Sequence, residues 1–285
     1  MFYLYRRVVE ICLELQRGQV VLRKSKKKEY GFELVSVNLP TEGNFQLAQW
    51  LHPMAGKMLV FPDEIESIKK FLKPGDVAID IGAYTGDTAI PLALVTGLSG
   101  AVLALEPNKH IFSVLKKNAE LIQERGNIIP LPFAATPENC TMNFEYSDSG
   151  FCNGGYHEGI SKWKHGHAHT LEVDGKNLEK FLHENYSHLI SRIKYIKVDA
   201  EGYDSTVLES LTTIIEKQKP YLRVEVFKHS ELNYRKRLYH FLKNHNYQVH
   251  YFGGTANYKG QLIEECDLMK WHHYDMFAIP QDVVE

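Results

Sequence analysis

The chain lacks several features that would place it in a specialised class of protein. Its four cysteines follow no paired or metal-binding spacing, which indicates reduced thiols and a cytoplasmic location. No apolar run is long enough to span a bilayer, and Arg6, Arg7 and Glu10 interrupt the apolar start that a signal peptide needs. The formal net charge is only −2, so no overall positive field attracts nucleic acid. We therefore expect no transmembrane segment and no nucleic-acid partner.

What the sequence does contain is enough apolar material for a sizeable core, with 44% hydrophobic residues over 285 positions. Residues 1–60 are predicted to form an accessory segment, and residues 61–285 the main domain. The accessory segment begins with an amphipathic stretch, Phe2 to Leu15, that predicts a helix able to pack on the core, on a second copy of the chain or on a membrane surface. A basic run, Arg23 to Lys28, precedes an alternating strand pattern over Phe32 to Val37, and residues 40–56 are predicted to be mainly turns.

From Asp76 onward, predicted strands and helices alternate, which indicates an α/β domain with a parallel sheet. The predicted strands are Val77–Ile81, Ala101–Leu105, Ile128–Pro130, Ile193–Val198, Tyr221–Phe227, Tyr247–Tyr251 and Met276–Ile279. The predicted helices between them are Gly86–Thr96, Lys109–Gln123, Leu178–Tyr186, Ser205–Ile215 and Glu231–Asn244. In such sheets, ligands bind beyond the carboxyl ends of the strands, so the residues at those ends are the candidates for a site.

The first predicted strand leads into a glycine turn and then a helix, over the stretch VAIDIGAYTGDTAI. Gly82 allows a ligand to approach the backbone, and Gly86 allows the helix to pack closely on the sheet. Asp80 places a carboxylate beside the free N–H groups of this turn. A negative charge there suits a cationic ligand better than a pyrophosphate, which favours S-adenosylmethionine over a dinucleotide.

Glu106 ends the second predicted strand, 24 residues after Gly82, where an acid commonly accepts hydrogen bonds from a ribose. A nicotinamide-dependent oxidoreductase would carry the same acid, and that alternative stays open. The glycine spacing is G-x-x-x-G, however, and not the G-x-G-x-x-G of dinucleotide sites. A purely structural role for Glu106, as an acid at the start of the next helix, is a further alternative.

Three more carboxylates follow later strands. Asp199 and Glu201 come directly after an apolar strand, in IKVDAEGYDSTVL, and Glu225 lies inside the apolar run Tyr221 to Phe227. Buried carboxylates are costly unless they face a cation, a proton donor or a metal. Asp199 and Glu201 are therefore the predicted catalytic pair, and Asp199 with Glu225 is a weak candidate for metal ligation.

Residues 136–176 form a long insertion that is predicted to act as a lid over the acceptor. It carries aromatic side chains, a glycine-rich turn and the alternating histidines His165, His167 and His169. A polar strand face explains these histidines better than a metal site does.

The motifs DIGAYTGDT (80–88), LEPN (105–108), Asn118, IKVDAEGYDSTVL (196–208) and the Glu225 strand occur in an order that resembles the FkbM-type methyltransferase family. The resemblance implies S-adenosylmethionine as cofactor, a hydroxyl of a sugar or natural product as acceptor, and a seven-stranded Rossmann-like sheet whose last strand is antiparallel. Members of that family often carry asparagine where Tyr84 stands and glutamate where Asp204 stands.

Taken together, the motifs and the resemblance assign residues to two roles. The predicted catalytic residues are Asp199 and Glu201. The residues predicted to contact the donor are Asp80, Gly82, Ala83, Tyr84, Thr85, Gly86, Glu106, Pro107, Asn108 and Ala134. The predicted function is O-methyl transfer to a small-molecule acceptor; a non-catalytic scaffold that binds the donor is the alternative outside enzymes.

Overall fold

The computed structural model describes residues 29–146, 148, 150–152, 154–155 and 169–281. The strands are β1 (Phe32–Leu39), β2 (Gly43–Trp50), β3 (Val77–Ile81), β4 (Ala101–Leu105), β5 (Ile128–Leu131), β6 (Ala134–Ala135), β7 (Cys140–Tyr146), β8 (Gly154–Gly155), β9 (His169–Lys176), β10 (Ile193–Val198), β11 (Tyr221–Val226), β12 (Tyr247–Phe252), β13 (Lys259–Leu262) and β14 (Tyr274–Pro280). The helices are α1 (Pro62–Ile68), α2 (Ala89–Thr96), α3 (Lys109–Leu121), α4 (Leu178–Asn185), α5 (Ser187–Ile190), α6 (Asp204–Ser210), α7 (Thr212–Gln218) and α8 (Leu232–Asn244). The predicted helix Phe2–Leu15 and the basic run 23–28 lie outside the described residues.

The central sheet has the order β13-β12-β14-β11-β10-β3-β4-β5. Strands β11, β10, β3, β4 and β5 are parallel, whereas β14 runs antiparallel to both β11 and β12. All seven predicted strands are present, and the antiparallel last strand is confirmed. The edge strand β13 was not predicted, because its sequence KGQL has neither apolar alternation nor a β-branched residue.

The middle strands are apolar on both faces because helices cover both sides of the sheet. Every residue of β3 and β4 is buried, which matches their near-continuous apolar sequences. The helix predicted over residues 205–215 is interrupted at Leu211, whose N–H bonds to the Leu208 carbonyl in a tighter turn and separates α6 from α7. No helix in the described part of the chain is both long and apolar enough to cross a membrane.

Strands β1 and β2 form an antiparallel hairpin within the segment expected to be accessory. The stretch predicted to be mainly turns is therefore wrong for residues 43–50, where Phe45 and Leu47 alternate as buried residues of β2. The hairpin is fixed to α3 by Asn118. Its side chain accepts a hydrogen bond from the Ala48 N–H (2.6 Å) and donates to the carbonyls of Ala48 (3.1 Å) and Thr85 (2.8 Å). This asparagine thus joins the hairpin to the glycine turn.

The described part of the insertion forms a second sheet, with the order β6-β9-β7-β8. β7 pairs antiparallel with β9 from Cys140 to Tyr146, and β6 pairs parallel with the end of β9. Tyr146, Leu171 and Val173 form a small apolar cluster on this sheet. This second sheet places β7 against the carboxyl edge of the central sheet.

Helix α1 buries an acid, Glu64, and this gives a prediction about pH. Burial raises the pKa of Glu64 from 4.5 to about 7, and the nearby Arg223 offsets only part of that effect. An acid with a higher pKa in the folded state lowers the free energy of unfolding as pH rises from the unfolded pKa to the folded one. We expect Glu64→Gln to raise the free energy of unfolding by up to about 3 kcal/mol at pH 8, and by less than about 1 kcal/mol at pH 5.

Urea denaturation at the two pH values measures this difference. Glu66→Gln is the matched control, because Glu66 lies on the same helix but is 63% exposed and pairs with Lys69 at the surface. Loss of that surface pair is expected to change stability by less than about 1 kcal/mol at either pH. An equal gain at pH 5 and pH 8 from Glu64→Gln would contradict the proposed origin in ionisation.

Candidate active site

A cavity of about 270 Å³ opens at the carboxyl edge of the central sheet. Its size is close to the lower end of the range for small-molecule sites, roughly 300 Å³. The glycine turn after β3, the end of β4, the loop after β10 and strand β7 all contribute walls. Seven of the predicted site residues line it: Gly82, Tyr84, Glu106, Pro107, Ala134, Asp199 and Glu201.

The glycine turn brings its backbone against the loop that follows β10. Gly82 has a φ of +80°, and a Cβ built at this position would lie 2.1 Å from the carbonyl oxygen of Asp199. No side chain fits there, so glycine is required both for backbone conformation and for close approach. Tyr84 also has a positive φ, +49°, a conformation in which asparagine is more readily accommodated than tyrosine. That geometry explains why asparagine is common at this position in the family that the motif resembles.

Glu106 lies at the boundary between the turn and the cavity. Its carboxylate accepts hydrogen bonds from the N–H groups of Tyr84 (3.0 Å) and Asn108 (2.8 Å). Burial raises the pKa of Glu106 to about 8, although these two hydrogen bonds act in the opposite direction. The helix cap is a different residue, because Asn108 accepts the hydrogen bond from the His110 N–H at the start of α3. Glu106 is therefore not the N-cap of α3, although it accepts a hydrogen bond from the N–H of the residue that is.

Five predicted donor-contact residues lie behind the cavity lining: Asp80, Ala83, Thr85, Gly86 and Asn108. They shape the turn from behind. The Ala83 N–H bonds to the Leu105 carbonyl, the Gly86 N–H bonds to the Ala83 carbonyl, and Asn108 donates to the Phe151 carbonyl at 2.7 Å. These five residues therefore stabilise the backbone around the cavity and do not line it.

Lys197 is the residue of this region that the sequence analysis missed. It lies on β10 in register with Asp80 of β3, and only 4% of it is exposed. Its Nζ is 3.4 Å from Oδ1 of Asp80, 3.1 Å from Oδ2 of Asp199 and 3.3 Å from the Gly82 carbonyl oxygen. The sequence did carry a signal: Lys197 is a charged residue inside a buried strand, two positions before Asp199 and hence on the same face.

The two predicted catalytic acids have opposite electrostatic environments. Burial acts to raise the pKa of Asp199, but Lys197 outweighs it and holds that pKa below its ordinary value. Burial and the neighbouring Asp199 raise the pKa of Glu201 to about 7. Asp199 is therefore an ionised hydrogen-bond acceptor, whereas Glu201 can take or give a proton near neutral pH.

The loop that carries these acids is held by Asp204. Its carboxylate accepts hydrogen bonds from the N–H groups of Ala200 (2.8 Å) and Gly202 (3.0 Å) and from the Tyr234 hydroxyl (3.2 Å). Burial raises the pKa of Asp204 to about 7. Asp204 is fully buried and does not line the cavity.

Glu225 is buried near Asp199 and is paired with a histidine. Its Oε1 lies 2.8 Å from Nε2 of His273, which precedes β14. On the same strand, Arg223 bonds to Asp275 with an Nε–Oδ2 distance of 2.6 Å. Glu225 thus pairs with a basic side chain, that of His273. Within the described residues, no group of three or more His, Cys, Asp or Glu side chains is arranged to hold a metal ion.

Strand β7 of the insertion supplies an apolar wall to the cavity through Met142, Phe144 and Tyr146, which alternate along the strand. Of the three alternating histidines, only His169 falls within the described residues, and it lies at the start of β9. The segment near residue 150 also joins the hairpin to the site. Asp148 contacts Nε2 of His52 (2.9 Å), and the Tyr84 hydroxyl lies 3.6 Å from Sγ of Cys152.

The geometry fits a donor that combines a nucleoside with a cationic amino-acid end. Its elements are a glycine turn in which no Cβ fits, an acid at the end of β4 and, after β10, the ionised carboxylate of Asp199. Likeness to known structures is limited. An FkbM methyltransferase from Methylobacillus flagellatus overlaps at a TM-score of 0.44 and 14% identity, over 72% of this chain and 44% of the other. This chain thus spans less than half of that protein's length.

Two further structures give similar overlaps. A SAM-dependent O-methyltransferase from Thermotoga maritima has a TM-score of 0.40 and 15% identity, over 90% of this chain and 80% of the other. TrmK from M. capricolum, in complex with S-adenosylhomocysteine, has a TM-score of 0.40 and 18% identity, over 79% and 70%. These overlaps say nothing about the acceptor. No curated protein sequence gives a significant match.

The sequence comparison is decisive where the structural overlaps are not. Residues 80–249, 170 of the 285 residues, match the Methyltransferase FkbM domain. The matched region begins at Asp80 and includes the glycine turn, Glu106, the loop after β10 and Glu225. This decides against the nicotinamide-dependent alternative. The chain therefore belongs to the FkbM methyltransferase family and is an S-adenosylmethionine-dependent methyltransferase.

Proposed function

We propose that this methyltransferase transfers its methyl group to a hydroxyl oxygen of a carbohydrate or secondary-metabolite acceptor. The observation that carries the proposal is the pair of acids, Asp199 and Glu201, in a cavity that is also lined by apolar and aromatic side chains of β7. A hydroxyl needs a hydrogen-bond acceptor to orient it and a group to take its proton, and carboxylates provide both. The aromatic residues of β7 suit the flat or apolar face of a sugar or natural product.

The residues that would hold the donor are the glycine turn, Glu106 and the lining residues Pro107 and Ala134. Bound S-adenosylmethionine supplies an electrophilic methyl group on a positively charged sulfur. Asp199, held ionised by Lys197, offers negative charge at the strand edge beside the glycine turn. Glu106 offers hydrogen-bonding capacity at the end of β4, where a ribose is commonly held.

At the reaction centre, the chain's main contribution is positioning, because methyl transfer is a direct displacement that requires aligned atoms. We assign Asp199 to accept a hydrogen bond from the acceptor hydroxyl and to take its proton, with Glu201 as the second candidate for the base. We assign the insertion, residues 136–176, as the lid that selects the acceptor. The accessory segment, residues 1–60, is proposed as a cover that could also join two copies of the chain.

Calorimetric titration with S-adenosylhomocysteine tests the donor site. We expect micromolar binding by the wild type and binding at least tenfold weaker, about 1.4 kcal/mol, for Glu106→Gln. The amide can accept only at its oxygen, so one of the two backbone N–H groups now held by the carboxylate, and any ribose contact, loses its partner. Glu120→Gln on the exposed face of α3 is the matched control and should bind as the wild type does.

The acceptor class is tested by measuring S-adenosylhomocysteine formation from S-adenosylmethionine with a panel of methyl glycosides, polyols and phenols, to which amines and thiols are added. Turnover with a glycoside or polyol supports the proposal, with the product's new methyl ether located by mass spectrometry. Donor binding without turnover on any hydroxyl compound would instead favour a scaffold that binds the donor. Turnover confined to amines or thiols would overturn the assignment of oxygen as the acceptor atom.

A further inference from the structure

Glu225 is a buried acid that neither the donor site nor the proposed chemistry uses directly. It lies on β11, in register with Asp275 of β14, and only 6% of it is exposed. Its neighbour on the cavity side is Asp199: β10 and β11 are parallel with Val198 in register with Val224, so Asp199 and Glu225 follow side by side on the two strands. Glu225 therefore lies between Asp199, the predicted catalytic acid, and the partly exposed His273.

The two oxygens of Glu225 have different surroundings. Oε1 is 2.8 Å from Nε2 of His273, a side chain that is 52% exposed. Oε2 is buried and receives no hydrogen bond from an N–H or O–H group in the described structure. A hydrogen bond between the carboxyl groups of Glu225 and Asp199 requires a proton between them, since two carboxylates are both acceptors.

The charges around Glu225 determine which of the two acids holds that proton. Lys197 and Arg223 lie near Asp199 and favour its ionised form. The groups that face Glu225 from the loop after β10 and from β14 are acidic, apart from His273: Asp199, Glu201, Asp204 and Asp275. Burial and these acids raise the pKa of Glu225 well above its ordinary value. The proton therefore belongs on Glu225.

We propose that Glu225 is a positioning residue that works in its neutral form, donating a hydrogen bond to Asp199 while its Oε1 accepts one from Nε2–H of His273. The resulting chain runs from His273 through Glu225 to Asp199, whose Oδ2 also contacts Lys197, and it fixes the orientation in which Asp199 faces the acceptor hydroxyl. This inference rests on the proposed role of Asp199 in methyl transfer. It also assigns to Glu225 a role that is incompatible with ligation of a metal, which would require the carboxylate.

Two substitutions at Glu225 separate the neutral role from an ionised one. Glu225→Gln keeps a neutral donor of the same shape, so we expect kcat within about threefold of wild type and no loss of activity at the alkaline pH at which Glu225 itself ionises. Glu225→Leu removes the donor, and we expect kcat to fall by about 10- to 100-fold because Asp199 is no longer held in position. KM for S-adenosylmethionine should stay near its wild-type value in both. The substrate is the methyl glycoside or polyol that gives turnover in the acceptor panel.

His273→Gln and its neighbour His272→Gln form a matched pair, because the His272 ring packs against His229 and not against Glu225. We expect only His273→Gln to change the pH profile of kcat. A large loss of kcat in Glu225→Gln would overturn the proposal, since it would show that the ionised carboxylate is needed. An unchanged kcat in a folded Glu225→Leu would overturn it as well.

A measurement that needs no acceptor keeps the test independent of the methyltransferase assay. Protein labelled with ¹³C at the glutamate carboxyl carbon is titrated by NMR, with Glu225→Gln used to assign the resonance. We expect Glu225 to remain protonated at pH 8 in the wild type and to ionise at lower pH in Asp199→Asn. A Glu225 that is already ionised at pH 7 overturns this inference even when S-adenosylhomocysteine binds. Failure of the wild type to bind S-adenosylhomocysteine would count against the donor site instead.

Discussion

Replacement of Lys197 by methionine is expected to lower the free energy of unfolding by about 3–5 kcal/mol, the largest effect of any single substitution considered for this protein. Lys197 is only 4% exposed, and its ammonium lies within 3.4 Å of two carboxylates, Asp80 and Asp199. Burial acts to lower the pKa of Lys197, but the two acids outweigh it and keep the residue charged. Methionine fills a similar volume without a charge, so the loss isolates the electrostatic contribution.

The physical reason is that Lys197 is the main positive charge that stabilises the ionised form of Asp80, with Arg223 contributing less. Asp80 is fully buried, and neither of its oxygens accepts a hydrogen bond from a described residue. Burial already raises the pKa of Asp80 with Lys197 present. Without the ammonium, Asp80 must either remain an unpaired buried charge or take up a proton, and both cost stability at neutral pH.

Urea denaturation followed by circular dichroism measures the change. Lys194→Met is the matched control, since Lys194 lies on the same strand, β10, but is exposed, and its loss should change stability by less than about 0.5 kcal/mol. The double variant Asp80→Asn with Lys197→Met should regain part of the loss, because the unpaired charge is removed together with its partner. A loss in Lys197→Met no larger than in Lys194→Met would show that the ion pairs contribute no net stability.

The second large effect is expected on catalysis: Asp199→Asn should lower kcat by about 10²- to 10⁴-fold while S-adenosylhomocysteine binds within a few-fold of wild type. Asparagine preserves the shape of the side chain. It cannot take a proton from the acceptor hydroxyl, and it offers no negative charge to the reaction. Donor binding survives because the glycine turn and Glu106 are unchanged.

Steady-state kinetics with an acceptor from the panel, together with calorimetric titration, measures both quantities. Asp63→Asn on the exposed start of α1 is the control for removing a carboxylate without touching the site. Glu201→Gln distinguishes the two candidate bases, since the pKa of Glu201 is raised to about 7 and suits proton transfer near neutral pH. Full activity in Asp199→Asn, with loss only in Glu201→Gln, would transfer the role of base to Glu201.

The charged residues at the carboxyl edge of the sheet have distinct roles. Lys197 holds Asp199 ionised, Asp204 fixes the backbone of the loop that carries Asp199 and Glu201, and Glu225 is proposed to aim Asp199 from behind. These roles require that neighbouring carboxyl groups differ in protonation, with Asp199 ionised and Glu225 neutral. Their different pKa directions follow from position: Asp199 lies against Lys197, whereas Glu225 faces mainly other acids.

The sequence by itself determined the fold class and the edge of the sheet at which the site lies. Local patterns suffice for this, because apolar runs specify the buried strands Val77–Ile81 and Ala101–Leu105, and parallel strands place their carboxyl ends together. Gly82, Glu106, Asp199 and Glu201 follow those strands directly, so their approach to one cavity could be predicted.

Only the tertiary structure decided how the charges at that edge are paired. Lys197 is separated from Asp80 by 117 positions, and Glu225 from His273 by 48, so no local pattern links them. The strand β2 was also missed: its residues Phe45 and Leu47 are buried in the apolar core, and Asn118, which fixes the strand to α3, is 70 positions from Ala48. Sequence periodicity indicates which face of a strand is buried. The partner of a buried charge depends instead on strand order and register, which are determined only when the whole sheet is assembled.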